Sequence, residues 1–306
     1  MIFDIHSHIG DILYPNGGEL ISEIGVPRHS KKDLISYAEH KLFRLGKMDM
    51  PQGDEAAIMD IIAQGSRERV FTATLENMRA SLAETDIVKS VCLPVPPHVT
   101  FDDLKRAQPE ESAIVPFTGV DFGKEYDFES SLRRDVSQGA RGLKIHPIIQ
   151  KISLTSTPVH EVVEAFAPYK LPILLHCGVA SYYLGEEKET NQIMKYGEIH
   201  YAKQLVSDFP SVSFIIGHAG LSQVSDVIGL MGNLRNIWVD VTFQSPQTII
   251  RLLSTFGAEK VVYASDWPFG DRKTSIKAVK EACKGDSALE QLVFWENAVH
   301  LLRTPA

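Results

Sequence analysis

Ile2-Phe3-Asp4-Ile5-His6-Ser7-His8-Ile9-Gly10 is the stretch that decides the fold. Its first half is a short apolar run of strand length. A doubly wound open sheet normally follows its first strand with a glycine-rich phosphate turn. Here that place is taken by His6-Ser7-His8-Ile9-Gly10, which is no such turn. Similar runs recur at Ile87–Leu93, Ile114–Val120, Ala140–Ile145, Leu171–Leu175, Val212–Ile216, Ile237–Val241 and Val261–Ala264. They are continuously apolar rather than alternating, which suits a parallel sheet covered on both faces. Between them the period changes to that of a helix. Ala202, Leu205, Val206 and Phe209 stand at i, i+3, i+4 and i+7 within Ile199–Phe209, and Ile249, Leu252, Leu253 and Phe256 repeat the spacing within Thr248–Phe256. Val159–Phe166 and the closing Leu289–Leu302 read as helices too. Strand alternating with helix is the α/β signature, and eight strands close a (β/α)8 TIM barrel.

One connection is too long for a barrel loop. From Ile9 to Thr85 about 75 residues pass without a convincing strand, and a structureless loop of that length is improbable. Helical stretches are expected around Lys32–Leu45, Ala56–Ala63 and Phe71–Ala83. The last reads as the first barrel helix. The segment from about 11 to 70 then becomes a helical insertion covering the mouth of a single domain, 1–306. A barrel of roughly 250 residues plus such a cover accounts for the 306 residues.

Composition removes other classes. Hydrophobic residues make up 44% and charged residues 23%, so the chain is not disordered. A net charge of −8 without a basic block argues against nucleic acid as a partner. No run approaches a membrane span, and Met1–His6 lacks the basic and apolar regions of a signal peptide. Cys92, Cys177 and Cys283 fit neither a disulfide framework nor a zinc knuckle, so a reducing, cytoplasmic setting is expected.

The polar residues at the strand ends carry the chemistry. His6 and His8, two apart, face one side of a strand and can reach one metal ion. Eleven histidines give about 0.4 His-x-His pairs by chance, so the pair needs context. His176 ends one apolar run, His218 follows another through Gly217, Asp266 follows a third, and Lys144 lies within Gly142-Leu143-Lys144-Ile145-His146. The C-terminal strand ends of a barrel meet at one mouth, which brings these groups together. Three imidazoles and a carboxylate suit zinc, and with more oxygen donors manganese or iron. His146, Trp267 and Tyr182 are candidate substrate contacts, and Cys177 should face away from the metal side. Arg28, His29, His40, Lys41 and Arg44 of the insertion include candidate clamps for an anionic substrate.

The ordered set His6-x-His8, Gly142-Leu143-Lys144-Ile145-His146-Pro147, His176, Gly217-His218-Ala219-Gly220, Ser265-Asp266-Trp267-Pro268 and Glu296-Asn297-Ala298 resembles the amidohydrolase superfamily, in particular its "amidohydrolase 2" branch. The resemblance runs over nearly the whole chain. It implies that His6, His8 and Asp266 hold the deeper metal and that His176 is a further ligand. His218 matches either a ligand of a second metal or a residue that orients or deprotonates water. Lys144 matches the position that is carboxylated and bridges two metals in binuclear members, so one or two ions are implied. Asp266, His218 and Lys144 are the catalytic candidates. The expected activity is hydrolysis of a small amide, lactone or ester by metal-activated water. The alternatives are non-oxidative decarboxylation of an unsaturated or aromatic acid, and a barrel that binds metal or ligand without turnover. A homodimer contacting through the insertion is an arrangement the resemblance allows.

Overall fold

The computed structural model describes residues 1–28, 55–125 and 127–303. Nine parallel strand segments run in chain order: β1 Ile2–Ser7, β2 Ile87–Cys92, β3 Ile114–Pro116, β4 Thr118–Gly119, β5 Leu143–Ile145, β6 Ile173–Leu175, β7 Phe214–Ile216, β8 Ile237–Asp240 and β9 Val261–Val262. The expected strand Ile114–Val120 is interrupted at Phe117 to give β3 and β4, so nine segments make eight staves. Ladders join β1-β2-β3 and β4-β5-β6-β7-β8-β9.

Backbone hydrogen bonds connect these two sheets at both edges. Phe117 N donates to Cys92 O (3.1 Å) and Arg141 N to Pro116 O (3.0 Å). On the other side Ile5 N donates to Tyr263 O (3.2 Å), Asp266 N to His6 O (2.7 Å) and His8 N to Trp267 O (2.6 Å), beside a parallel bridge between Ser7 and Trp267. The fold is the expected α/β barrel. The second of these seams brings Asp266 against His6 and His8.

The α-helices among the described residues are α1 Glu55–Val70, α2 Leu75–Ala83, α3 Phe101–Ala107, α4 Phe128–Ser137, α5 Thr157–Phe166, α6 Glu187–Thr190, α7 Ile199–Asp208, α8 Val224–Met231, α9 Pro246–Phe256, α10 Arg272–Cys283, α11 Ser287–Gln291 and α12 Asn297–Leu302, and Gly17–Ser22 is among the 3-10 turns. α2 starts later than its apolar pattern suggests because Thr74 caps it, accepting from Asn77 N. The expected helix Ala56–Ala63 is the first half of α1, whereas Lys32–Leu45 lies outside the described residues, as do His29, His40, Lys41 and Arg44. The closing helix is divided: a π-helical turn at Leu292–Glu296 separates α11 from α12. No described helix is long and apolar enough to cross a membrane.

Two apolar layers hold the barrel. The larger packs the helices against the outer faces of the strands and includes Ile173, Leu175, Phe214 and Ile216. The smaller fills the interior with Phe3, Ile5, Leu174, Ile215, Trp238 and Val262, and α12 adds Ala298, Leu301 and Leu302. Alternation works simply in β6: Leu174 points inward, and so does His176 two residues on. β1 departs from it. Asp4 pairs with Ser90 and Ser7 with Cys92, so three steps on β1 match two on β2. This bulge moves the parity by one, so that Phe3 and Ile5 face the interior below and His6 and His8 face it above. Asp4 is left on the outer side.

Candidate metal centre

His6, His8, Lys144, His146, His176, His218, Asp240 and Asp266 meet at the C-terminal end of the barrel, all buried. Each follows from the local fold. His6 and His8 come from the bulged end of β1, and Lys144 and His146 from β5 and its exit. His176 follows β6, His218 lies past β7, Asp240 ends β8, and Asp266 lies on the seam between β9 and β1. His218 and Asp266 have left-handed backbones, φ 56° and 54°, which for non-glycine residues is a strained setting common at functional sites. Gln244 Nε2 donates to His218 O (2.7 Å) and helps fix that turn. Gly178, φ 102°, lies so close to the neighbouring loop that a Cβ would come within 2.5 Å of Gly220 O. Its carbonyl receives His176 Nε2 at 3.0 Å.

The second-ring nitrogens fix the tautomers. His8 Nδ1 lies 2.9 Å from Leu93 O, which only accepts, so Nδ1 carries the proton and Nε2 a lone pair. His6 Nδ1 is 2.8 Å from Asp240 Oδ2, with the same consequence. His176 donates from Nε2 to Gly178 O, so its Nδ1 accepts from His218 Nε2 at 3.2 Å. The lone pair of His218 is therefore on Nδ1. Burial first, and then the Lys144 ammonium, hold His6 and His8 well below the usual imidazole range and His176 down at about 3. Burial, followed by the neighbouring His6 ring, does the same to His218; at His146 burial leads and His176 adds to it. The five rings are neutral at pH 7.

Three lone pairs then face one carboxylate. His6 Nε2 and His8 Nε2 each lie 3.4 Å from Asp266 Oδ1, and His218 Nδ1 lies 3.8 Å from Asp266 Oδ2. His218 Nδ1 has no hydrogen-bond partner among the described residues. Acceptors facing acceptors repel unless a positive charge lies between them. The ammonium of Lys144 is one such charge, 3.5 Å from His6 Nε2. A cation among the lone pairs would be another. Donors about 3.4 Å apart span the edge of a tetrahedron whose corners lie about 2.1 Å from its centre, the bond length of zinc to nitrogen or oxygen. His6, His8 and Asp266 form one group with metal-ligand spacing; His6, His218 and Asp240 form a second. The donor set fits a divalent ion, with His6 common to both groups.

The remaining candidates lie around this cluster. His146 stacks on His176 with ring centroids 4.1 Å apart, and Tyr182 stands edge-on to both. The Tyr182 hydroxyl is 3.5 Å from His176 Nδ1. In this structure His176 thus turns its free nitrogen to His218 and Tyr182 rather than to Asp266. Phe269 lies edge-on to His8 and Tyr182, and Phe243 packs by His218. Trp267 meets the site through its backbone, while its ring lies 5.1 Å from the Arg272 guanidinium. Cys177 packs in the outer apolar layer, as its parity predicts. Arg28 pairs with Glu84 at the surface (2.5 Å). Burial pulls Lys144 down to about 8 against the charges of Asp266 and Asp240. A cleft of about 280 Å³ opens beside the mouth between Tyr14, Pro96, His98, Ile149, Gln150 and Tyr183. Asp240 is the residue the sequence reading missed: it interrupts the expected run Ile237–Val241 after three apolar residues and ends β8.

A parallel α/β barrel with a histidine–carboxylate cluster at its mouth is the class that fold and site define. Residues 46–304 match the family described as Amidohydrolase, and the chain belongs to it. The matched stretch begins after β1, so His6 and His8 are joined to it only through the fold. No curated protein matches the chain. Among solved structures, it is similar to an uncharacterized TIM-barrel protein from Bordetella bronchiseptica, with TM-score 0.67, 13% identity, and 99% and 98% of the two chains covered. It is similar to a 5-carboxyvanillate decarboxylase from Novosphingobium aromaticivorans, with bound manganese and 3-methoxy-4-hydroxy-5-nitrobenzoic acid (TM-score 0.65, 14% identity, 99% and 97% covered). A probable 2-pyrone-4,6-dicarboxylic acid hydrolase from Acinetobacter baumannii, with citric acid bound, also shares the fold (TM-score 0.60, 14% identity, 99% of each covered). Family membership makes the chain an amidohydrolase-type enzyme.

Proposed function

We propose that the protein is a metal-dependent hydrolase of a small amide, lactone or ester. The observation that carries this reading is the convergence of the His6, His8 and His218 lone pairs on the Asp266 carboxylate. His6, His8 and Asp266 would hold the ion, joined by His176 on a change of partner. A divalent ion supplies Lewis acidity and lowers the pKa of coordinated water to about 7. Zinc is the first choice for this donor set, and manganese, the ion of the decarboxylase with the same fold, is the second.

The chain's own groups handle protons and substrate. Asp266 Oδ2 accepts the proton of the attacking water, and His218 Nδ1, 3.8 Å away, shares it and returns it to the leaving group. Lys144, poised at about 8, neutralises an anionic oxygen of the substrate. His146 and Tyr182 bound one side of the mouth and orient what enters. The described parts of the expected insertion, residues 11–28 and 55–70, belong to the same domain and lie over the mouth. This is supported by Tyr183 Oη donating to Leu13 O (2.6 Å), Tyr14 Oη to Glu187 (2.8 Å) and Lys188 Nζ to Asp60 (2.9 Å). Three buried, unpaired cysteines support a cytoplasmic setting.

A second reading, decarboxylation of an aromatic or unsaturated acid, is favoured by the buried Lys144 and by the rings of Tyr182, Phe269 and Phe243 around the cluster. Zinc- and manganese-loaded protein should be assayed on lactones and esters and, in parallel, for carbon dioxide release from aromatic acids. Hydrolysis without carbon dioxide supports the first reading. Carbon dioxide release alone replaces it with the second.

A further inference from the structure

The carboxylate of Asp4 lies on the far side of β1 from the histidines, yet it touches both halves of the candidate site. Its Oδ1 receives His6 N (3.3 Å) and Ser265 N (3.0 Å). Its Oδ2 receives Ser265 Oγ (2.5 Å) and Arg272 Nε (3.3 Å). Ser265 Oγ in turn accepts from Trp267 N (3.1 Å), so the strained turn at Asp266 is held on both flanks. Arg272 extends from α10, packs against the Trp267 ring and donates from Nη2 to Ser90 Oγ (3.0 Å) on β2. Asp4 is fully buried and Arg272 is 1% exposed.

Such a buried ion pair is a weak source of stability, because the cost of removing both charges from water offsets their attraction. Its position is more informative. β1 and the segment after β9 are the first and last staves, and no regular ladder joins them. Asp4 bridges this seam directly beneath the two elements that carry His6, His8 and Asp266. It also sits at the start of the bulge that turns the histidines inward.

We propose that Asp4, with Ser265 and Arg272, is the positioning bracket of the metal centre, setting the distance between the histidines of β1 and Asp266. The proposal rests on the reading of His6, His8 and Asp266 as metal ligands. Outer groups that orient ligands typically alter metal affinity by 10–100-fold.

The test measures zinc affinity by chelator competition and, separately, the melting temperature of the metal-free protein. The variants are Asp4→Asn, Arg272→Lys and Ser265→Ala, with Leu205→Ala in the distant outer layer as a destabilised control. Ser265→Ala keeps the ion pair and remains informative if Asp4→Asn fails to fold. The expected result is a loss of zinc affinity of at least ~10-fold in the bracket variants and an unchanged affinity in Leu205→Ala. Bracket variants that lose melting temperature like Leu205→Ala but bind zinc as wild type does would overturn the proposal. Wild-type protein that takes up no zinc would instead overturn the ligand reading beneath it.

Discussion

His6 Nδ1 donates to Asp240 Oδ2 over 2.8 Å with both side chains fully buried. The bond sets the His6 tautomer, aims Nε2 at Asp266, and makes that nitrogen a stronger base. Asp240→Asn keeps the shape and can retain a hydrogen bond, but removes the charge. Divalent metal affinity should fall 10–100-fold in this variant, with secondary structure intact by circular dichroism. Unchanged affinity would leave Asp240 with a packing role only.

Asp266 combines a ligand position with contact to His218. Asp266→Asn should fold but lose at least ~100-fold in turnover, the lower range for loss of an acid–base group. Turnover close to wild type would remove Asp266 from the mechanism.

Lys144 separates two designs. Its amine lies 3.5 Å from His6 Nε2, and the proposed role is that of a bare ammonium beside one ion, meeting an anionic substrate. Lys144→Met should therefore leave metal content unchanged while lowering kcat/KM on an anionic substrate at least ~10-fold. A fall from two equivalents of metal to one would instead identify Lys144 as a carboxylated bridge.

The neutral imidazoles set a pH dependence for the metal-free protein. His6, His8, His146, His176 and His218 all lie below the ordinary value in the fold, mainly through burial. The unfolded chain takes up protons as pH falls through about 6.5 while these rings stay neutral. Their contribution is thus present above about pH 6.5 and lost below it, with a slope approaching one proton per histidine. For His176 the loss continues down to about pH 3. Urea midpoints of the metal-free protein should drop steeply from pH 7 to 5. A flat profile would mean that the rings are solvated or already charged.

Much of this was legible in the sequence because strand ends are sharp in apolar runs. His176, His218 and Asp266 follow such runs, and the barrel converts this into proximity. The same rule, applied to carboxylates as well as imidazoles, reaches Asp240. The β1 bulge was not legible, because side-chain alternation does not report an extra residue in the ladder. Strict alternation from Phe3 and Ile5 would turn His6 outward; only the pairing of Asp4 with Ser90 and Ser7 with Cys92 turns it in. The break at Phe117 and the π-helical turn at Leu292–Glu296 are likewise matters of backbone pairing inside segments whose apolar pattern continues without a break.

In the proposed centre the lone pairs of His6 and His8 hold a cation with Asp266, and His218 Nδ1 is kept for proton transfer. Elemental analysis of protein stripped with chelator, reloaded with zinc or manganese and desalted tests it most directly. The account predicts about one equivalent retained by the wild type and a large loss in the double variant His6→Ala/His8→Ala. Under about 0.3 equivalents in the wild type, or equal retention by the double variant, would contradict it.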